Sequence, residues 1–171
     1  MTAHSKASGK SLDYFDDQTS ERYVPYGIEP SAGVDRATMS LMVDAYTESE
    51  VITASGKTEN RVLMRFHPKI APIKVAVLPL SRNEKLKPLA RSIYDKIRKS
   101  PLIQGFVQYD DSQSIGRRYR RQDEIGTPIC VTGDFDSLDD LCVTIRERDT
   151  MEQSRISIDS LTDVLSTALN T

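Results

Sequence analysis

Soft metal ligands are scarce in this sequence: two cysteines, Cys130 and Cys142, and two histidines, His4 and His67, among 171 residues. They stand far apart and at no spacing that zinc motifs use, so no zinc site is expected. So few cysteines fit a reducing compartment. No apolar run approaches the ~20 residues that span a bilayer. The opening MTAHSKASGK also lacks the apolar core of a secretory signal. Nor is there an excess of positive charge, because 23 basic residues face 25 acidic ones, a formal net charge of -2. A globally cationic nucleic-acid binder is thereby excluded, and any RNA contact has to use a local basic patch. What remains is ordinary globular material, 38% apolar and 28% charged. A soluble, cytoplasmic chain is expected, long enough for one compact domain or a small domain plus part of another.

Composition divides the chain into three zones. Residues 1–22 are polar around Leu12, Tyr14 and Phe15 and cannot bury a core alone. Residues 23–47 read as a strand, a turn and a helix. Tyr23, Val24, Tyr26 and Ile28 are strand formers, although Pro25 is awkward inside a paired strand. Glu29 to Gly33 is a turn, and Asp35 is the expected N-cap of a helix that is apolar on most sides. Such a helix expects burial in something larger. Residues 48–60 read as loop, which places a linker over 48–67.

From residue 68 to 171 strand and helix signals alternate, the pattern of an α/β domain. Ile73–Leu78 is an apolar, branched run suited to a buried strand. Leu86, Leu89, Ala90, Ile93, Tyr94 and Ile97 recur at helical spacing, with Lys85, Lys87, Arg91, Lys96, Arg98 and Lys99 outside. Strands are expected at Gly105–Tyr109, Pro128–Thr132, Cys142–Glu147 and Gln153–Ser157. Helices are expected over Arg117–Glu124 and from about Asp159 to Leu169.

Two segments carry chemistry. Ile28-Glu29-Pro30-Ser31-Ala32-Gly33-Val34-Asp35-Arg36 places a carboxylate, a hydroxyl, bare backbone and a guanidinium in one strand-to-helix turn. Glu29 can hold an ammonium group, Gly33 admits a ligand to the main chain, and Arg36 can stack on adenine or pair with phosphate. The helix start beside them favours an anion. As residue types alone, Glu29 and Arg36 equally suit a surface ion pair beside a proline turn. Gly116-Arg117-Arg118-Tyr119-Arg120-Arg121 is the second segment, four arginines around an aromatic. It suits phosphate contact and base stacking, or else a solvated helix with Arg120 and Arg121 neutralised by Asp123 and Glu124. Asp134, Asp136, Asp139 and Asp140 fit no calcium loop and read as a polar turn. Cys130 reads as core and His67 as a loop residue.

The whole nonapeptide resembles motif 3 of class II aminoacyl-tRNA synthetases, in the form found in dimeric glycyl-tRNA synthetases. So do His4-Ser5, Ser8-Gly9, Tyr14-Phe15-Asp16, and His67-Pro68 with Ala71 to Leu80. The most specific block runs from Tyr109-Asp110-Asp111 through Ser114-Ile115-Gly116-Arg117-Arg118-Tyr119-Arg120-Arg121-Gln122-Asp123-Glu124-Ile125-Gly126-Thr127-Pro128 to Cys130-Val131-Thr132, and Arg148 to Gln153 closes the series. These blocks cover nearly the whole chain in order. The resemblance implies that residues 1–47 are the end of a class II catalytic domain, an antiparallel sheet flanked by helices. It implies an anticodon-binding domain over 68–171, a mixed sheet covered by helices.

The resemblance further implies that Glu29, Pro30, Ser31, Ala32 and Gly33 hold glycine. Gly33, Val34, Asp35 and Arg36 would bind ATP, with Mg2+ as its companion and no metal ligand assigned. Arg117, Arg118 and Tyr119 are the candidates for contact with the tRNA for glycine. The implied activity is glycine–tRNA ligation, and the full-length family is a homodimer. Two departures stand out. Gly27 replaces a branched apolar residue, and nothing matches motifs 1 or 2. A fragment, split subunit or truncated reading frame is expected, inactive alone and completed by an N-terminal catalytic portion. The alternative is a stand-alone, non-catalytic RNA- or protein-binding module that reuses the anticodon-binding fold.

Overall fold

The computed structural model describes residues 1–52, 56 and 58–170. The chain divides into two compact units, Met1–Ala37 and Thr38–Thr171. In the first, helix α1 (Thr2–Ser8) ends at Gly9, whose φ of 68° is the left-handed conformation of a helix stop. Strands β1 (Tyr14–Asp16) and β2 (Glu21–Tyr23) pair antiparallel, Tyr14 opposite Tyr23. Arg22 crosses to Asp13 at 2.8 Å and holds that carboxyl below the usual carboxylate range.

The strand expected over Tyr23–Ile28 stops at Tyr23. Pro25 has no N–H to offer a ladder, and the chain from residue 24 to 33 is irregular, with Tyr26 and Ile28 exposed. Helix α2 (Val34–Ala45) follows, its first bond running from the Ala37 amide to the Gly33 carbonyl at 3.0 Å. Gly33 therefore occupies the cap expected of Asp35. Asp35 sits instead in the first turn, where a carboxylate suits the helix dipole. Every residue from 26 to 44 is exposed, including Met39, Leu41, Met42 and Val43, and only Ala45 of α2 is buried.

The expected loop over residues 48–60 is largely a hairpin. Strands β3 (Tyr46–Ile52) and β4 (Thr58–Met64) pair antiparallel from Tyr46 opposite Met64 to Ile52 opposite Thr58. Residues 53–55 and 57, part of the same expectation, lie outside the described residues. Arg61 and Leu63 alternate onto the buried side of β4.

The remaining elements form the α/β body. In order they are β5 (Ile73–Pro79), α3 (Leu86–Lys99), β6 (Phe106–Tyr109), α4 (Ile115–Ile125), β7 (Ile129–Gly133), α5 (Ser137–Asp140), β8 (Cys142–Glu147), β9 (Gln153–Ser157) and α6 (Leu161–Asn170). The five-stranded sheet has the order β6-β5-β7-β8-β9. β5 runs parallel to β6 and β7, whereas β8 and β9 are antiparallel additions. This is the expected mixed sheet covered by helices.

β5 is apolar on both faces because both are covered. Val75 and Val77 join Ile93 and Ile97 of α3 and Leu161 and Leu165 of α6. Ala76, Leu78 and Cys130 meet Ile115 and Tyr119 of α4 on the other side. Burial pushes the Cys130 thiol up to about 12, so it stays protonated as core material. At the far end Arg155 spans Asp134 and Asp140, both at 2.8 Å. Arg155, with help from Ser137, pulls the Asp134 carboxyl down to about 2. Asp134 and Asp140 of this turn thus serve ion pairing. No helix among the described residues is long and apolar enough to cross a membrane.

Candidate functional site

The two chemistry-bearing segments fall in different surroundings. Glu29 to Gly33 form the irregular approach to α2, and Val34 to Arg36 its first turn. All eight side positions are exposed. Gly33, Asp35 and Arg36 are held at the N-terminal end of a twelve-residue helix, the end that favours an anion. A Cβ added at Gly27 would meet nothing within 4 Å.

The second segment is helix α4, and its arginines divide by direction. Ile115 and Tyr119 pack on Ala76, Leu78 and Cys130, which turns positions 118 and 122 inward as well. Arg118 is 1% exposed. It donates from Nε to the Ser112 carbonyl at 3.1 Å and from one terminal nitrogen to Gln113 at 2.7 Å. Its other terminal nitrogen donates to the Pro79 carbonyl. The expected tRNA contact through Arg118 is therefore corrected: this guanidinium is spent closing three backbone carbonyls where β5 meets the loop before α4. Tyr119 is half-buried, and its hydroxyl meets Thr132 Oγ1 at 2.6 Å.

The ion pairs also differ from expectation. Arg120 does pair with Glu124, at 3.0 Å. Arg121 instead reaches Asp110 and, at 2.8 Å, the Ser112 hydroxyl. Burial would raise the Asp110 carboxyl, but the Ser112 hydroxyl and amide together with Arg121 hold it below its ordinary range. Asp123 turns inward between two buried arginines. Arg146 grips it bidentately at 2.9 and 3.1 Å, and Arg61 of β4 joins at 2.9 Å. Arg61 also donates to the Arg148 carbonyl, so one side chain ties the hairpin to both α4 and the end of β8.

Gly126 completes this seat. Its φ of 88° favours glycine, and an added Cβ would lie 2.9 Å from the Met64 carbonyl oxygen. Between the hairpin and α4 a cavity of about 380 Å³ opens, lined by Val51, Arg61, Arg117, Tyr119, Arg120 and Arg146 among others. Arg146 stands 4.8 Å from the Tyr119 ring centroid. Arg117 and Arg120 are the exposed cations at this cavity. The structure therefore brings together an outward cation pair and a half-buried ring, above an ion-paired floor. The role of the hairpin was missed in the sequence, where Arg61 reads as one more polar residue.

Residues 74–168 match the family model described as the anticodon binding domain. A glycine–tRNA ligase of Thermobifida fusca is 56% identical over 169 residues, covering 99% of this chain and 36% of the relative. A glycine–tRNA ligase of Streptomyces coelicolor is 51% identical over 169 residues, with the same 99% and 36% coverage. The chain thus spans about a third of the length of the curated relatives it matches. Among solved structures, a prolyl-tRNA synthetase from Cryptosporidium parvum, complexed with L-proline and AMP, has a TM-score of 0.57 at 18% identity. That likeness covers 71% of this chain and 30% of the other, and it is a likeness of fold.

Proposed function

From the premise that the chain belongs to the anticodon-binding domain family, we propose that it is part of a glycine–tRNA ligase, the enzyme that attaches glycine to its tRNA using ATP. The observation that carries this reading is the reach of the likeness. Identity of 51–56% extends over 99% of the chain, well ahead of residue 74. A binding module alone has no need of the Glu29–Arg36 turn.

In this reading residues 1–47 are the motif 3 edge of a catalytic domain, and residues 68–171 bind the anticodon. Residues 48–67, most of the β3–β4 hairpin included, link the two. The Glu29 carboxylate takes the glycine ammonium group, with Pro30, Ser31 and Ala32 shaping the turn and Gly33 leaving the backbone open. Gly33, Val34, Asp35 and Arg36 hold ATP, the guanidinium stacking on adenine or balancing phosphate charge. Mg2+ arrives with the nucleotide. Among the described residues no three His, Cys, Asp or Glu side chains cluster to hold a metal ion. The remaining catalytic portion and a second copy of the whole enzyme complete the assembly, in the cytoplasm.

The tRNA face is the outward side of α4, through Arg117 and Arg120, with Tyr119 as the ring beside them. From Pro68 onward there are 16 basic and 15 acidic residues, so long-range attraction is slight and binding rests on these few contacts. Titration of the glycine tRNA by fluorescence anisotropy at two salt concentrations tests this. Arg117→Ala and Arg120→Ala should each weaken binding and lower the log–log salt slope by about 0.7–0.9. Unchanged binding by both folded variants would remove α4 from the RNA interface.

A further inference from the structure

Helices α3 and α4 cover opposite faces of the five-stranded sheet, so a ligand seated on α4 leaves the outer side of α3 unused. Lys87, Arg91, Tyr94 and Arg98 recur at spacings of four, three and four, which puts them on one flank of α3. The helix also carries Lys96 and Lys99, against Asp95 as its single acid. This flank borders β6, an edge strand, and Tyr109 of β6 completes a ladder of cations and rings.

The Arg91 guanidinium carbon lies 3.6 Å from the Tyr109 ring centroid. Tyr109 and Tyr94 meet edge to face with centroids 6.1 Å apart, and Arg98 stands 5.9 Å from the Tyr94 centroid. Among the described residues, neither Arg91 nor Arg98 has a carboxylate within ion-pairing distance, whereas Lys87 is held by Glu84 at 2.6 Å. Asp111 faces the Tyr109 hydroxyl at 3.4 Å and gives its carbonyl to Arg82.

An arginine laid flat on a ring keeps its N–H groups and one guanidinium plane for a ligand. Alternating planes and charges suit unpaired nucleotides, whose bases stack on guanidinium or aromatic planes while phosphates take the N–H donors. Eleven residues of helix rise about 16 Å. That matches four or five stacked nucleotides at roughly 3.4 Å each. An acidic peptide would use the charges and leave the planes idle, and duplex RNA keeps its base faces closed.

We infer that the α3–β6 edge is a second RNA-contact face that takes a short run of unpaired nucleotides, separate from the α4 face. It rests on the reading of this domain as RNA-binding but names a different surface. The test uses the 171-residue chain, a fluorescein-labelled uridine dodecamer and, in parallel, the glycine tRNA. Arg91→Ala with Arg98→Ala should weaken dodecamer binding about tenfold or more, with circular dichroism unchanged. Arg91→Lys with Arg98→Lys keeps the charge and loses the plane, and should recover less than half of that loss. Parent-like dodecamer binding by the folded alanine pair overturns the inference, as does full recovery by the lysine pair. A glutamate dodecapeptide bound more tightly than the uridine dodecamer would overturn it in favour of an acidic protein partner. The parallel tRNA titration separates the two readings. If Arg117→Ala and Arg120→Ala lose tRNA while the α3 pair loses neither ligand, only this inference falls. If the α3 pair alone loses both ligands, this face stands and the α4 assignment falls.

Discussion

Asp123→Ala is expected to lower the thermal midpoint of the Thr38–Thr171 unit by about 10–20 °C at neutral pH. The carboxylate is 3% exposed and lies between Arg61 and Arg146, themselves 9% and 6% exposed. Its removal leaves two guanidinium groups buried side by side, without their counter-charge. Breaking a buried pair from one side costs about 3–5 kcal/mol, because the orphaned charge keeps its desolvation penalty. For a domain of this size each kcal/mol is worth roughly 3–5 °C. Arg61→Ala should be milder and more local, raising hydrogen exchange in β3 and β4 while the five-stranded sheet stays protected. Differential scanning calorimetry decides the first claim. A shift under about 3 °C would mean that water reaches the triad and that the hairpin needs no latch.

The second large effect concerns chemistry. By itself the 171-residue chain is expected to give no glycine-dependent ATP–pyrophosphate exchange. The residues assigned to glycine and ATP are all exposed, and a turn facing solvent cannot hold reactants in an attack geometry or exclude water. Adding the remaining catalytic portion of a glycine–tRNA ligase in trans should restore exchange. In that reconstituted state Arg36→Ala should abolish it, by removing the guanidinium assigned to the nucleotide. Exchange well above a no-enzyme control from the chain alone would show that the turn finds its missing walls elsewhere, for instance in a second copy.

How much of this was legible in the sequence depends on which physics each segment uses. α3 and α6 were readable because their apolar residues recur at helical spacing and the burial follows it, and β5 because an unbroken branched apolar run suits a strand covered on both faces. The β3–β4 hairpin was not. Its strands are mostly polar, and one of its inward residues is Arg61, which is buried only because Asp123 lies 62 residues further on. Long-range charge pairing leaves no local trace. Arg118 was misplaced for a related reason, since its partners are backbone carbonyls, which every residue has. A signal did exist there: Ile115, Arg118, Tyr119 and Gln122 share the spacing of one helix face, and the two apolar members fix which face turns inward. The strand expected over Tyr23–Ile28 failed where Pro25 removed a donor. The Glu29–Arg36 motif stands out in the sequence because its residue types are consecutive, and the ligands proposed for it rest on that pattern.

The central claim is that this chain reads the anticodon of a glycine tRNA, and one titration addresses it most directly. Two transcripts are compared at fixed salt, the glycine tRNA and the same body with its anticodon replaced by that of another amino acid. Stacking holds any base, whereas a good bidentate hydrogen-bond pair to a base edge is worth about 1–3 kcal/mol of discrimination against the wrong base. The replaced transcript should therefore bind at least about tenfold more weakly, tenfold corresponding to about 1.4 kcal/mol. Equal affinity for the two transcripts would contradict the account, leaving a domain that holds RNA by charge and does not read its sequence.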